Sequence, residues 1–379
     1  MEYLDQMGER AVAAKKSLQS LEAEEKNKIL LQIAQALPAN AERILQENAK
    51  DYAIAEENGM SQGLLDRLKL TRERIEGMAE GIRQITELSD PVGQVIETIE
   101  RPNGLHIEKV RVPMGVIGII YEARPNVTAD AFGLCFKSGN VVILKGGKDA
   151  LYSNLAVTGV IRSVLTDTGI DPNVIQLIDN NDRSVTTEFM RLKKYVDLLI
   201  PRGGAGLIRA VVENSTVPVI ETGTGNCHIY VDEEADLAKA IPIIINAKTQ
   251  RIGVCNACES ILVHEKIADA FLPALGKALA EKKVEVRGDE KVLEQIPDAV
   301  KATEEDYGKE YLDYIVSIKT VSSVEEAIEH INRYNTGHSD AILTENKERA
   351  AKFLREIDSA CVYVNASTRF TDGFEFGFG

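Results

Sequence analysis

From Val116 onward the sequence alternates between short apolar runs and segments of helical periodicity, and this alternation restricts the fold more than any other feature. Runs such as Val116–Tyr121 are almost continuously apolar, which is typical of strands buried on both faces. The segments between them carry apolar residues at three- and four-residue spacing, which indicates helices. Strict alternation of this kind predicts an α/β fold with a doubly wound parallel sheet and with ligands at its carboxyl edge.

The alternation occurs in two runs. The first predicts strands at 116–121, 141–144, 174–178, 196–200 and 217–220, and helices at 128–137, 151–168, 182–194 and 204–214. After Gly223 it begins again, with helices at 235–249 and 264–282 and a strand at 314–320, so we expect a second α/β domain. Residues 1–90 predict helices instead, and their periodic apolar positions should face a core. These positions are Leu18, Leu21, Ile29, Leu30, Ile33 and Leu37.

Residues 96–112 predict a protruding β-hairpin. Asn103-Gly104 is the residue pair that a type I′ turn requires. The apolar alternation changes phase at Glu108-Lys109, which predicts either a bulge or a face that another subunit covers. Because an isolated two-stranded ribbon is marginally stable, we expect the hairpin to join subunits of a homodimer or a larger homo-oligomer.

Composition disfavours several classes of protein. The chain has 379 residues, 44% of them hydrophobic, and a formal charge of −15, which repels nucleic acids and anionic membranes. No apolar run approaches the roughly 20 residues of a membrane span, and the first residues lack the basic start of a secretory signal, so we expect a cytoplasmic protein. Five cysteines are too few and odd in number for a disulfide framework, so each should be a thiol.

Two glycine clusters follow predicted strands, although the G-x-G-x-x-G fingerprint is absent after the first strand. They are 145–148 (Lys-Gly-Gly-Lys) and 202–206 (Arg-Gly-Gly-Ala-Gly). Glycine permits close approach of a ligand, a helix start offers free N–H groups, and the basic residues add positive charge. Either cluster therefore predicts a phosphate site or a plain turn.

Cys255 follows a predicted helix. Arg251 and nearby backbone dipoles could lower the pKa of this thiol and make it a nucleophile, and a buried structural cysteine is the alternative. With Cys258 it forms a single C-x-x-C pair, which is poor evidence for a metal, so no metal site is predicted.

Acidic and imidazole side chains give weaker signals. Glu221 ends the predicted strand 217–220, where it is either a base or a structural anion. His228, His330 and His338 are most simply explained as structural residues or polar contacts.

Taken in order, the motifs resemble the aldehyde dehydrogenase superfamily over nearly all of the chain after about residue 90. In detail they are similar to the branch that reduces an acyl phosphate of glutamate. The motifs are 121–128 (YEARPNVT), 138–145 (SGNVVILK), 200–204 (IPRGG), 221–226 (ETGTGN), 250–259 (QRIGVCNACE) and 334–338 (YNTGH). The resemblance implies a discontinuous cofactor-binding domain (1–95 and 113–222), an oligomerisation hairpin (96–112) and a catalytic domain (223–379). In the superfamily a strand after 374–377 usually pairs with the hairpin of a neighbouring subunit, whereas this sequence stops at Gly379, so that strand is either absent or not included.

The resemblance makes Cys255 the catalytic nucleophile. Asn126 matches a side-chain amide that forms an oxyanion hole with the backbone N–H of Cys255. Glu221 matches the general base of hydrolytic relatives, but a branch that uses an acyl phosphate does not need that base, so Glu221 is a base or a structural residue. Arg124 and Arg251 are candidates for binding the substrate carboxylate or phosphate, or for pairing with structural acids.

The implied cofactor is NADPH. Lys145 matches a lysine that contacts the adenosine ribose. Lys148 lies where NAD-preferring relatives often carry an acid, so a cation there favours a 2′-phosphate. Gly203 and Gly204 would approach the cofactor phosphates, and Glu310 matches an acid that holds the nicotinamide ribose.

The implied reaction is reduction of L-glutamyl 5-phosphate to L-glutamate 5-semialdehyde in proline biosynthesis, with glutamate 5-kinase as a candidate partner. The Cys255 thiolate attacks the γ-carbonyl, phosphate leaves, and hydride reduces the thioester to a thiohemiacetal that collapses to the aldehyde. Three alternatives stay open. They are a hydrolytic NAD(P)-dependent aldehyde dehydrogenase that uses Glu221, a non-enzymatic docking partner of the kinase, and a zinc-binding module at Cys255 and Cys258.

Overall fold

A computed structural model describes residues 2–60, 62–122, 124–221, 223–373 and 375–376. The chain forms two compact units, residues 1–222 and 223–379. Within the described ranges, no helix combines the length and the apolar character that crossing a membrane requires. Residues 374 and 377–379 lie outside the described residues, and so does any strand after the segment 374–377.

Five helices begin the first unit, as the sequence predicts. They are α1 (Glu2–Gln19), α2 (Ala23–Ala39), α3 (Ala41–Glu57), α4 (Gln62–Leu68) and α5 (Arg72–Glu87). The core positions predicted for α2 are confirmed, since Leu30, Ile33 and Leu37 are completely buried in a core that also includes the sheet. Leu21, between α1 and α2, is only partly buried against that core.

The predicted hairpin is present as β1 (Val95–Glu100) and β2 (His106–Val110), which pair antiparallel. Its turn is not the predicted type I′ turn, because Gly104 has a positive φ of 84° and Asn103 does not. Pro102 explains the difference, since a two-residue turn centred on Asn103-Gly104 would use a backbone N–H at position 102 that proline lacks. The loop therefore has three residues and ends on the left-handed glycine.

The hairpin ladder is irregular between Val95 and Glu97, so the predicted bulge is present. The extra residue is Ile96, on the strand opposite the predicted position. Every residue of both strands is exposed in the monomer.

A four-stranded parallel sheet occupies the rest of the first unit. Its elements are β3 (Val116–Tyr121), α6 (Asn126–Lys137), β4 (Val141–Gly146), α7 (Leu151–Asp167), β5 (Ile175–Leu177), α8 (Arg183–Phe189), β6 (Leu198–Arg202) and α9 (Ala205–Asn214). The strand order is β5-β4-β3-β6. The order reverses between β3 and β6, and parallel sheets bind ligands beyond the carboxyl ends of the strands at such a point.

The strand predicted at 217–220 is wrong. The structure has only an isolated bridge between Leu199 and Val219, and Ile220 is 51% exposed. Pro218 accounts for this, because it has no N–H to donate to a ladder. Its carbonyl accepts the Leu199 N–H at 2.8 Å, and the pairing ends at Ile220.

The second unit contains a seven-stranded parallel sheet, which confirms the second α/β domain and the predicted fold class. The elements are β7 (Cys227–Val231), α10 (Leu237–Thr249), β8 (Cys258–His264), α11 (Glu265–Glu281), β9 (Glu285–Gly288), α12 (Glu290–Gln295), β10 (Val300–Lys301), α13 (Glu304–Tyr307), β11 (Ile315–Val321), α14 (Val324–Tyr334), β12 (Ser339–Leu343), α15 (Lys347–Glu356) and β13 (Cys361–Val364). The strand order is β10-β9-β11-β8-β7-β12-β13.

Helices cover both faces of this sheet, as a doubly wound fold requires. On one face, α10 and α11 pack on Ile229, Ile261 and Ile318. On the other, α14 and α15 pack on Tyr230 and Leu262. The two sets alternate along each strand, so both surfaces of the sheet are buried and the connecting loops are left at its two edges.

Ile33→Ala is expected to lower the free energy of unfolding by about 2–5 kcal/mol, because it opens a cavity in a fully buried position. Ile54→Ala is the matched control, since Ile54 also lies within a helix but is 44% exposed. The control should change stability by no more than about 0.5 kcal/mol. Urea unfolding followed by circular dichroism measures both, and equal losses would contradict the assignment of α2 to the core.

Candidate active site

Cys255 lies in the loop between α10 and β8, at the amino edge of the seven-stranded sheet. Its side chain is partly buried and free of disulfides. The segments that enter β7 and β12 meet the same edge, because all these strands run parallel. The thiol therefore lies opposite the carboxyl edge, where ligands of parallel sheets usually bind.

His338 contacts this thiol directly. Its Nε2 lies 3.1 Å from Cys255 Sγ, and its Nδ1 lies 2.8 Å from Ser339 Oγ. Burial lowers the pKa of His338 below its usual value, against a smaller opposing effect of the Asp340 charge. The ring is therefore neutral near pH 7 and can accept the thiol proton.

Sequence reasoning missed this role of His338, which it treated as a structural residue or polar contact. The available signal was its position at the end of the 334–338 motif. The sequence could not show which of several histidines would meet the sulfur, because 83 residues separate His338 from Cys255.

Asn226 fixes the loop that carries His338. Its side-chain amide donates to the carbonyls of Tyr307 and Tyr334, at 2.8 Å each, and its backbone N–H donates to Thr336 Oγ1 at 3.0 Å. The amide is almost completely buried, so these bonds are not exchanged freely with water. The end of α14 and the turn before His338 are thereby tied to the entry of β7.

Gly225 allows the entry of β7 to pass close to the backbone of Cys255. A Cβ at this position would lie 1.5 Å from the carbonyl oxygen of Cys255, so only glycine fits. The Gly225 N–H donates to Glu310 Oε1 at 2.8 Å. Glu310, which the resemblance assigns to the nicotinamide ribose, is thus partly buried and tied to the backbone beside Cys255.

The neighbouring cysteines are buried. Cys258 is fully enclosed, and burial raises the pKa of its thiol to about 12. Cys227 donates its S–H to the carbonyl of Cys255 at 3.2 Å, and burial raises its pKa as well. In the part of the chain that the structure describes, His, Cys, Asp and Glu side chains form no group of three or more that could hold a metal.

In the first unit, the residues predicted to bind the cofactor and the oxyanion lie on the neighbouring strands β3, β4 and β6 or just after them. Asn126 is the first residue of α6, is exposed, and donates its amide N–H to Asp130 at 3.1 Å. Lys145 is a buried residue of β4 that donates to the carbonyl of Gly146 at 3.0 Å, and burial lowers its pKa. Lys148 is exposed at the start of a 3₁₀ turn after β4.

Each predicted glycine cluster leads to a helix start that already contacts a carboxylate. At α7, the buried Asp51 accepts the Ser153 N–H at 2.7 Å. At α9, the exposed Glu122 accepts the Gly204 N–H at 2.9 Å. Both helix starts attract anions, as expected from their free N–H groups. The α7 position is filled by an interior side chain, whereas Glu122 at Gly203-Gly204 is on the surface.

The remaining predicted residues lie in loops. Arg124 is partly buried, and its backbone N–H donates to the carbonyl of Glu122. Arg251 is exposed just after α10. Glu221 is exposed and follows no regular strand, so its expected position at a buried strand end is wrong.

A cavity of about 390 Å³ lies at the carboxyl edge of the second unit's sheet, away from Cys255. Asp232, His264, Ser323, Arg349 and Lys352 line it. Arg349 pairs there with the buried Asp232 at 2.8 Å, so the cavity is a site of structural ion pairs and contains none of the predicted catalytic residues.

The sequence model of the aldehyde dehydrogenase family matches residues 2–294 and 295–379, and the chain belongs to this family. This membership makes it an oxidoreductase. A similar curated relative, the γ-glutamyl phosphate reductase of Lachnospira eligens, is 58% identical over 100% of this chain and 91% of its own length. The γ-glutamyl phosphate reductase of Moorella thermoacetica is 58% identical over 98% of this chain and 89% of its own.

Solved structures agree with these relatives. The crystal structure of γ-glutamyl phosphate reductase from Thermotoga maritima has a TM-score of 0.97 at 53% identity, over 99% of this chain and 91% of that one. An acetylating aldehyde dehydrogenase from Geobacillus thermoglucosidasius shares the fold, with a TM-score of 0.69 at 19% identity over 99% of this chain and 88% of that one. The resemblance inferred from the motifs is confirmed.

His338→Ala is expected to slow alkylation of Cys255 by iodoacetamide at pH 7, because the thiol loses its proton acceptor. Peptide mass spectrometry gives the modified fraction of each cysteine over time. The partly buried Cys361 is the internal reference, and its rate should not change. His106→Ala, in the exposed hairpin, is the control variant. An unchanged Cys255 rate in His338→Ala would contradict the assigned contact.

Proposed function

We propose that this chain reduces L-glutamyl 5-phosphate to L-glutamate 5-semialdehyde with NADPH and releases phosphate, a step of proline biosynthesis. The observation that carries the proposal is the contact of Cys255 Sγ with His338 Nε2 at 3.1 Å, in a chain whose full length matches γ-glutamyl phosphate reductases. A nucleophilic thiol beside a neutral imidazole suits attack on an activated acyl group.

In the proposed reaction, Cys255 forms the covalent bond to the substrate and His338 transfers the proton. His338 accepts the proton of Cys255, and the thiolate attacks the γ-carbonyl and expels phosphate, which leaves a glutamyl thioester on the sulfur. When bound, NADPH supplies the hydride that takes this acyl group to the aldehyde level. His338 then returns its proton to the sulfur as the carbon–sulfur bond breaks.

The transient negative charge on the carbonyl oxygen needs donors. We assign these donors to the Asn126 amide and the backbone N–H of Cys255. The exposed Asn126 amide is held only by the surface contact to Asp130, which a substrate oxygen can replace at small cost.

The cofactor site is proposed from the chemistry of five residues. Lys148 is an exposed cation suited to a 2′-phosphate, and Lys145 lies just before it on β4. Gly203 and Gly204 directly precede α9, whose start already attracts the carboxylate of Glu122, so the residues fit a phosphate group that displaces this side chain. Glu310 would accept a bond from the nicotinamide ribose.

Arg124 and Arg251 are proposed to bind the anionic groups of the substrate. Glu221 is assigned no proton transfer, because His338 already contacts the sulfur.

The exposed hairpin is proposed to join two or more copies of the chain, and glutamate 5-kinase is a proposed partner. A cytoplasmic location is proposed because all five cysteines are free thiols.

Oxidation of glutamate 5-semialdehyde with NADP⁺, the reverse reaction, should require inorganic phosphate, because phosphate removes the acyl group from Cys255. Formation of NADPH, followed by absorbance in a phosphate-free buffer, should fall to background and recover when phosphate is added. Full activity without phosphate would support the hydrolytic alternative and contradict the proposal.

Cys255→Ser serves as the control for this assay. Turnover should be lost while NADPH still binds, because serine lacks the thiolate but preserves the fold. Retained biological function in this variant would instead support the docking alternative, and stoichiometric zinc in the wild type would support the metal alternative.

Lys148→Glu should weaken binding of NADPH more than binding of NADH, because the new carboxylate repels the 2′-phosphate that distinguishes the two. Fluorescence titration of each cofactor gives the two dissociation constants. Lys16→Glu, at an exposed position of α1, makes the same charge change and should leave both constants unaltered. Equal weakening of both cofactors by Lys148→Glu would remove Lys148 from the proposed specificity.

A further inference from the structure

The side of His338 that faces away from the sulfur begins a continuous series of hydroxyl groups. His338 Nδ1 lies 2.8 Å from Ser339 Oγ, which lies 2.6 Å from Thr371 Oγ1. Thr371 Oγ1 lies 2.8 Å from the hydroxyl of Tyr363. We refer to Ser339, Thr371 and Tyr363 as the hydroxyl chain. Ser339 belongs to β12, Thr371 to the loop after β13, and Tyr363 to β13 itself.

The residues of the hydroxyl chain are all at least partly buried within the second unit. Ser339 is 1% exposed, and Tyr363 and Thr371 are partly buried. Asn256, which follows the nucleophile directly, donates its side-chain amide to the carbonyl of Thr371 at 2.9 Å. The loop that carries Thr371 is thus tied to the turn that carries Cys255.

A neutral imidazole has one proton for its two nitrogens, and the two tautomers are not equivalent for catalysis. Only the tautomer with the proton on Nδ1 leaves Nε2 free to accept the proton of Cys255. That tautomer needs an acceptor at Nδ1, and Ser339 Oγ is at hydrogen-bond distance. The sulfur of Cys227 is the other group near Nδ1, but at 3.9 Å it is a much weaker acceptor.

The direction of the hydrogen bonds then follows from one proton per hydroxyl. If Nδ1 donates to Ser339, the Ser339 hydroxyl is free to donate its own proton to Thr371, and Thr371 can then donate to Tyr363. Tyr363 ends the series, and because it is only partly buried its hydroxyl can donate its own proton to solvent.

We propose that the hydroxyl chain fixes His338 in the tautomer with its proton on Nδ1, so that Nε2 can act as the base for Cys255. Ser339, Thr371 and Tyr363 are positioning residues, since none of them touches the sulfur. The proposal deepens the proposed function, on which it rests for the reaction that the base serves. The tautomer itself is a property of the free protein.

The first test is ¹⁵N NMR of the free protein labelled at histidine, with His338 assigned from the signal lost in His338→Ala. The chemical shifts should show a protonated Nδ1 and an unprotonated Nε2. Thr371→Val should shift this balance toward the other tautomer. A proton on Nε2 in the wild type, or an unaltered spectrum in Thr371→Val, would overturn the proposal.

The second test is the pH dependence of Cys255 alkylation by iodoacetamide, which needs neither substrate nor cofactor. Thr371→Val should move the midpoint up by about 0.5 to 1 pH unit, the equivalent of one lost hydrogen bond. The sign follows because a weaker base at Nε2 leaves the thiol protonated to higher pH. Thr371→Ser restores the hydroxyl and should return the midpoint to that of the wild type.

Thr344→Val is the matched control, because it removes a still more deeply buried threonine hydroxyl, which donates to Asp232 at the far edge of the sheet. Its alkylation profile should equal that of the wild type. If Thr371→Val and Thr344→Val behave alike, or if Thr371→Ser fails to restore the midpoint, the hydroxyl chain has no role beyond structure. A shifted midpoint in a protein without reductase activity would preserve this proposal and refute the proposed function.

Discussion

The contact between the Cys255 thiol and the His338 imidazole is the interaction on which the proposed chemistry of this chain depends. A thiol becomes a strong nucleophile only when it loses its proton, and a buried histidine stays neutral near pH 7 and can take that proton. The aldehyde dehydrogenase fold provides the framework for many reactions, so the proposed attack on an activated acyl group rests on this local pair and not on the fold.

The fold brings the pair together at the amino edge of a parallel sheet. Neighbouring strands β7, β8 and β12 start at the same edge, so the loops that enter them carry Gly225, Cys255 and His338 to one place. Glycine at 225 lets two backbones approach closely, and Asn226 ties the loop of His338 to the start of β7. Both faces of the sheet are buried under helices, which keeps this edge rigid.

Predictions from the sequence succeeded where the apolar period decides the structure and failed where a proline in the segment removes a backbone N–H. The apolar periods predicted the helices of the first ninety residues, the parallel strands and the hairpin. The turn type at Asn103-Gly104 and the strand at 217–220 were wrong, because Pro102 and Pro218 lack the N–H groups that these pairings need. In both cases the proline was visible in the sequence. The absence of its backbone N–H had a larger effect than the turn-forming or strand-forming residues beside it.

The sequence by itself determined the α/β class and the family, and it singled out Cys255 as the proposed nucleophile, because apolar period and ordered motifs are properties of the chain alone. Only the tertiary structure decided that His338 is the partner of Cys255, that Glu122 and Asp51 lie on the helix starts after the glycine clusters, and that Ser339 leads to Thr371 and Tyr363. These contacts join residues far apart in sequence, and their distances are set by how strands and helices pack.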